Sequence, residues 1–293
     1  MEFLKKWDFD GLDLDYEYPG AGDKKGFASW VKELKEAFQP HGYELTAAIS
    51  ASPGKLSKGY DIPTISKYMD AIHIMAYDLH GSWEKTADHH APLYPRPWDA
   101  NSYDEPLDAD SSVKHLMKMG APAKKLVLGI PTYGRSFTVQ SGSSMDKLPI
   151  PANQGGQAGP ITREKGYLGY QEICLNVKDN GWTAVEDAKG PYAYKGTQWV
   201  GYDTIKSVKV KAEYIKKHSL GGAMFWDLAT DDFNVSSFNS IFHAPVIIQD
   251  FNMNSLAVSQ VKDLLLKTSK NIFRRSNYHL HLPGFPHLGE IFR

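Results

Sequence analysis

Polar and apolar residues alternate through FDGLDLDYEYPG, which starts at Phe9: Leu12, Leu14 and Tyr16 fall on one side, Asp13, Asp15 and Glu17 on the other, until Pro19 and Gly20 end the run. That period of two predicts a strand. The period then changes, since Phe27, Trp30, Val31, Leu34 and Phe38 recur at helical spacing with Lys and Glu between them and Pro40 closes the segment. The alternation repeats downstream. ELTAAISA (44–51), AIHIMAYD (71–78), KLVLGIPTYG (125–134) and GGAMFWDL (221–228) read as strands, and IPTISKYM, SSVKHLMKMG and DTIKSVKVKAEYIKKHS as helices. Near-continuous apolar strands buried on both faces predict a parallel sheet with outer helices.

Residues 136–199 break this rhythm with Gly, Pro and Tyr clusters and short β-like pieces such as YAYKGTQWV, and predict an inserted α+β subdomain. The organisation expected is therefore a β/α portion over 1–135, the insertion over 136–199, a last helix and strand over 200–244, and a divergent tail over 245–293. Within that tail SLAVSQVKDLLLK reads as one amphipathic helix and the rest as loosely ordered chain.

Charge and cysteine usage remove several function classes. Lys+Arg 33 against Asp+Glu 34 leave a net charge of −1, so the totals carry no footprint for nucleic acid or an anionic membrane. A single cysteine, Cys174, allows no internal disulfide and no zinc or redox spacing. No apolar run approaches the about 20 residues of a spanning helix, and MEFLKKWDFD is too charged for a signal peptide.

Chemistry-bearing residues gather at the C-terminal ends of the predicted strands, where α/β sheets and barrels build their sites: Asp15 and Glu17, Tyr77 and Asp78, Tyr133 and Arg135, Trp226 and Asp227. Three acids at alternate positions of one strand would lie about 6–7 Å apart. In a poorly hydrated groove they are expected to share protons and titrate as a coupled set, with one left protonated as a general acid. Two other readings stay open, a solvated acidic strand face and a carboxylate-held magnesium site. A calcium loop fails, because the fifth position counted from Asp8 is Leu12.

The segment FDGLDLDYEYPG resembles the DxxDxDxE signature of family 18 glycoside hydrolases, the chitinases and chitinase-like lectins, with Asp10, Asp13, Asp15 and Glu17 in its four places. MAYDLHGSWE (75–84), LGIPTYGRSF (128–137), GPITREKGYLGYQEIC (159–174), YAYKGTQWVGYD (192–203) and GGAMFWDLATDDF (221–233) resemble later family segments, in the family's order. The resemblance covers about residues 1–244. It implies a (β/α)8 TIM barrel, of which this chain carries strands 4 to 8, with an inserted α+β subdomain, and an endo-acting chitinase that retains configuration at β-1,4-linked N-acetylglucosamine through substrate-assisted catalysis.

In that scheme Glu17 is the general acid and base, Asp15 holds the intermediate, Asp13 shares the proton of Asp15, and Tyr77 bonds the acetyl oxygen. Asp78, Trp83, Tyr133, Arg135, Glu164 and Trp226 contact sugars, and Asp10 braces the strand start. For Tyr77 and Trp226 plain core filling, for Arg135 pairing with a structural carboxylate, and for Glu164 an exposed acid between Arg163 and Lys165, are the alternatives.

The resemblance implies chitin or chitooligosaccharide as partner, no cofactor or metal, a monomer when full length, and an extracellular role. Asn234-Val-Ser236 fits a glycosylation acceptor in a secreted chain. Tyr16 stands where the family usually has Trp, on the strand face opposite Glu17. The sequence opens at what resembles the end of the helix before the fourth strand, so three βα units are expected to be lacking and the sheet to expose two edges, which implies poor folding alone or a need for partners. A chitooligosaccharide-binding lectin and an inactive truncated fragment are the rival functions.

Overall fold

The computed structural model describes residues 1–99, 105–187 and 190–232. The Asn234 acceptor and the 245–293 tail lie outside these residues. Five parallel strands form the first sheet: β1 (Gly11–Asp15), β2 (Glu44–Ser50), β3 (Ala71–Met75), β5 (Leu126–Pro131) and β12 (Gly222–Trp226), neighbours in that order. Strands that follow in the chain lie side by side with helices between them, the succession of a section of a (β/α)8 barrel. Gly11 opens β1 because a Cβ there would lie 2.2 Å from the Glu44 carbonyl oxygen.

The register sets Asp13 opposite Thr46 and Asp15 opposite Ala48, with Ala48 opposite His73 on the next strand. β5 is buried along its whole length, as an apolar strand covered on both faces must be. β1 and β12 are the edges of the sheet. The chain opens with α1 (Glu2–Trp7), and the sheet's helices are α2 (Lys24–Phe38), α3 (Pro53–Gly59), α4 (Ile62–Tyr68), α5 (Ala109–Lys118) and α7 (Ile205–Lys217).

On α2, Phe27, Val31 and Phe38 are buried as their spacing predicts, but Trp30 stays exposed. Side chains at Ser52, Asp61, Asp108 and Thr204 accept backbone N–H bonds at the starts of α3, α4, α5 and α7, each such cap contributing about 1 kcal/mol. No helix of the described residues is long and apolar enough to cross a membrane.

The second sheet holds β4 (Thr86–Ala87), β7 (Ile150–Gly155), β6 (Tyr133–Val139), β11 (Gln198–Gly201), β10 (Tyr192–Lys195) and β9 (Thr183–Val185) in that order, with β8 (Tyr167–Gly169) paired to β6. It therefore starts at Tyr133 rather than Ser136 and takes in Thr86 and Ala87 from the earlier segment. Trp199, Phe137, Tyr192 and Ile150 fill its core. Residue 132 alone separates β5 from β6, so Tyr133 and Arg135 leave the barrel sheet directly at its C-terminal end. The insertion thereby supplies one wall of the site.

Candidate active site

β1 buries Leu14 and carries Asp13 and Asp15 on the other face. The strand ends at Asp15, so Glu17 lies in the bend beyond it and strict alternation places two acids rather than three. All three are exposed. That exposure removes the dry groove on which proton sharing across the whole trio depended. The upward push falls on Asp15, whose pKa is raised by partial burial first and then by the charges of Glu17 and Asp13. Asp13 is held from two strands: Thr46 Oγ1 donates to Asp13 Oδ1 at 2.5 Å, and His73 Nδ1 lies 3.0 Å from the same oxygen. Tyr16, 44% exposed, packs its ring 6.3 Å from Phe27 of α2, on the side away from these acids.

A second group gathers where β3 ends and β6 begins. Asp78 adopts a left-handed backbone (φ 55°), uncommon for a residue other than glycine. Arg135 grips its carboxylate with both arms, Nε to Oδ1 and Nη2 to Oδ2, each at 2.7 Å. Burial alone would raise the Asp78 carboxyl, but the ring of His90 beside it and the two-armed pairing with Arg135 outweigh it and hold the group well below the usual carboxylate range.

Tyr133 stacks on Tyr167 at 4.6 Å, and the Arg135 guanidinium lies over Tyr133, Tyr167 and Trp83 at 5.5, 5.2 and 5.4 Å. Tyr77 links the two groups. Its ring is 6.2 Å from Tyr133, its hydroxyl donates to Met224 Sδ at 3.8 Å, and its pKa is raised by burial first, then by the charges of Asp78, Asp15 and Glu17. The phenol therefore stays protonated and able to donate.

Of the remaining expected residues, Trp83 borders the second group and the others sit apart. Trp83, 60% exposed, leans over Arg135. Trp226, 49% exposed, ends β12 with its carbonyl accepting from Thr132 N. Glu164 is exposed in the loop before β8, and among the described residues neither it nor Trp226 is bonded into the two groups. Asp10 precedes β1, its carbonyl accepting the Glu44 N–H at 2.9 Å. Among the described residues no three His, Cys, Asp or Glu side chains are placed to hold a metal ion, the acidic strand included.

Several residues of the site carry no signal in a linear pattern. Tyr18 hydrogen-bonds the Glu17 side chain and has Lys55 Nζ 4.2 Å over its ring, and its pKa is raised by burial and then by Glu17. In the insertion the buried acid is Glu172, not Glu164: Glu172 accepts from the backbone N–H groups of Ile161, Thr162 and Gly169 and so fixes the loop that bears Glu164. The register, which pairs Asp13 with Thr46, is the signal that finds Thr46.

An acidic strand, a clamped aspartate at the next strand end but one, and an inserted sheet supplying aromatic and arginine contacts form a single constellation. The profile of Glycosyl hydrolases family 18 matches residues 1–231. The chain belongs to this family. It is 46% identical over 249 residues to an endochitinase of Manduca sexta, a match covering 80% of this chain and 45% of that protein.

Among solved structures, catalytic domain 2 of the Group II chitinase of Ostrinia furnacalis superposes with a TM-score of 0.80 at 38% identity, covering 85% of this chain and 68% of that one. A mutant of that domain is solved with (NAG)5. Human YKL-39, a pseudo-chitinase with retained chitooligosaccharide binding, superposes at 0.74 with 37% identity, covering 80% of this chain and 66% of that one. The chain spans between 11% and 53% of the length of its curated chitinase relatives. The family places the five-stranded parallel sheet as part of a TIM barrel and the chain among glycoside hydrolase sequences.

Proposed function

We propose that this family 18 chain carries the catalytic strand of a chitinase, cleaving β-1,4-linked N-acetylglucosamine polymers with retention of configuration. Glu17 protonates the glycosidic oxygen as the C1–O bond breaks. The carbonyl oxygen of the substrate's own acetamido group attacks C1, giving an oxazolinium ion. Asp15 accepts its N–H and offsets its positive charge, and Tyr77 donates to the acetamido oxygen while that oxygen is still a carbonyl, before attack. Glu17, now a carboxylate, takes a proton from the water that opens the ring.

The observation that carries this reading is geometric: β1 carries Asp13 and Asp15 on one face, with Glu17 just beyond the strand end, all three open to solvent and so to a substrate. Thr46 and His73 on Asp13, and the bonded Asp78–Arg135 wall, support it. A chitooligosaccharide-binding protein without turnover is the second reading, favoured by the likeness to YKL-39, although Asp13, Asp15 and Glu17 all stand in this chain. Secretion and a chitooligosaccharide partner belong to the same proposal.

The test incubates chitotetraose with the parent chain and with Glu17→Gln, reading bound ligand by calorimetry and product by mass spectrometry. Turnover by the parent that the variant lacks, with binding kept in both, supports the hydrolase. Binding without product in both leaves the lectin, and equal turnover removes Glu17 as the acid.

A further inference from the structure

His90 lies outside every motif read from the sequence, yet it touches three parts of the sugar-binding wall. The ring is 1% exposed. Its Nδ1 accepts the Asp78 backbone N–H at 3.3 Å, its Nε2 lies 3.2 Å from the Tyr133 carbonyl oxygen, and its ring packs 5.1 Å from the Tyr133 ring. These two bonds allow one arrangement of a single proton: Nε2–H donates to the carbonyl, and Nδ1 keeps its lone pair for the amide.

We propose that His90, as the Nε2–H tautomer, is a positioning residue that holds Asp78 in its left-handed conformation so that Arg135 can clamp it with both arms. The clamp requires the Asp78 carboxylate to face β6, and φ of 55° is a conformation an aspartate seldom keeps without help. Arg135 fixes the side chain and His90 fixes the backbone N–H. Tyr133, the other end of the His90 bridge, is the residue that places Arg135 two positions along the same strand. Thus one imidazole ties the end of a barrel strand to the start of the insertion sheet.

The surrounding charges agree with a neutral ring. Burial lowers the pKa of His90, with Asp78 and Asp203 working against it and Arg135 with it. A second proton on Nδ1 would repel the Asp78 N–H and attract Oδ1, 3.5 Å away, drawing that oxygen from Arg135 Nε.

The proposal rests on the glycosidase reading only for what the wall binds, so its first test needs no sugar. In the full chain with ¹⁵N-labelled histidine, long-range ¹H–¹⁵N spectra are expected to show His90 as the Nε2–H tautomer at and above the ordinary histidine value, where a solvated imidazole is already partly protonated. An Nδ1–H tautomer or an imidazolium in that range overturns it. The second test compares His90→Asn, whose amide oxygen can replace Nδ1 as acceptor, with His90→Gln, whose amide replaces Nε2 as donor.

His90→Asn should keep the slow exchange of the Arg135 Nε–H and the parent affinity for chitotetraose to within about twofold, while His90→Gln loses the Asp78 acceptor and weakens binding about tenfold. Under the hydrolase reading that loss appears in KM with kcat nearly unchanged. Equal weakening by both, at equal melting temperature, overturns the proposal. Loss of turnover without loss of the tautomer, or of the Asn–Gln difference in Nε–H exchange, faults the glycosidase reading and not His90.

Discussion

The acidic strand and the Asp78 wall differ in how they are held, although both belong to one site. β1 is an edge strand whose acids are exposed, and Asp13 is the one gripped by its neighbours, through Thr46 and His73. Asp78 is gripped by Arg135 on β6 and by His90, between two sheets. The groups assigned to chemistry keep room to exchange protons, and the groups assigned to binding are fixed before any sugar arrives. Rigid placement suits recognition because less order has to be imposed on binding. A proton donor needs contact with substrate and water instead.

Substitutions that separate these two roles give the largest effects. Glu17→Gln is expected to lower kcat by about a thousandfold while leaving chitotetraose affinity within a few fold, read by product analysis and calorimetry. Parallel losses in both would mean that the edge strand also carries recognition.

Gly129→Ala should follow in size. A Cβ there would sit 2.4 Å from the Ile74 carbonyl oxygen and 2.8 Å from the Tyr77 ring, where β3 and β5 pack closely. A loss of about 2–3 kcal/mol in urea unfolding is expected, together with weaker catalysis as Tyr77 is displaced. An unchanged midpoint would show that the link between the two groups is looser than described.

Arg135→Lys replaces a two-armed clamp by a point charge and should cost about 1 kcal/mol, kept small because Asp78 is partly solvated. The signature is in the pH dependence. The lowered Asp78 pKa adds stability that is fully present above its unfolded value of about 3.9 and is lost as pH falls further, so the difference between parent and Arg135→Lys should shrink below that pH. Asp15 has the opposite sign. Its raised pKa costs stability as pH rises past the unfolded value, so Asp15→Asn should gain no more than about 0.5 kcal/mol at neutral pH and nothing at pH 3, measured by denaturant titration at each pH.

The same contrast explains what the linear pattern could supply. Alternation from Leu12 and helical spacing over Phe27–Phe38 are local, and both produced elements, although the strand stops at Asp15, two residues short of the Glu17 that the alternation reached. α3, with PGKLSKG, and α6 (Tyr170–Asp179) gave no such signal. One is short with Gly and Pro, and it is fixed by Ser52 at its start and by Leu56 packed beneath it. The other is anchored by Glu172 reaching back to Ile161, Thr162 and Gly169.

Asp78 and Arg135 stand out as polar residues at strand ends, but their pairing depends on the passage from β5 to β6 through Thr132. His90 and Tyr18 act through contacts across the chain and beside a catalytic acid, and neither kind of contact has a period. Trp30 of α2 and Tyr16 just past β1, apolar by pattern, are exposed in the fold although both rings lie beside the buried Phe27, so spacing alone does not decide their burial.

The central claim is that β1 supplies a proton and a compensating charge while the sugar supplies the nucleophile. Proton NMR of chitotetraose during its first turnover reads this most directly, through the configuration of the newly formed reducing end. The account predicts the β-anomer first, with mutarotation following. An initial α-anomer, or tetramer that stays bound and uncleaved, would contradict it.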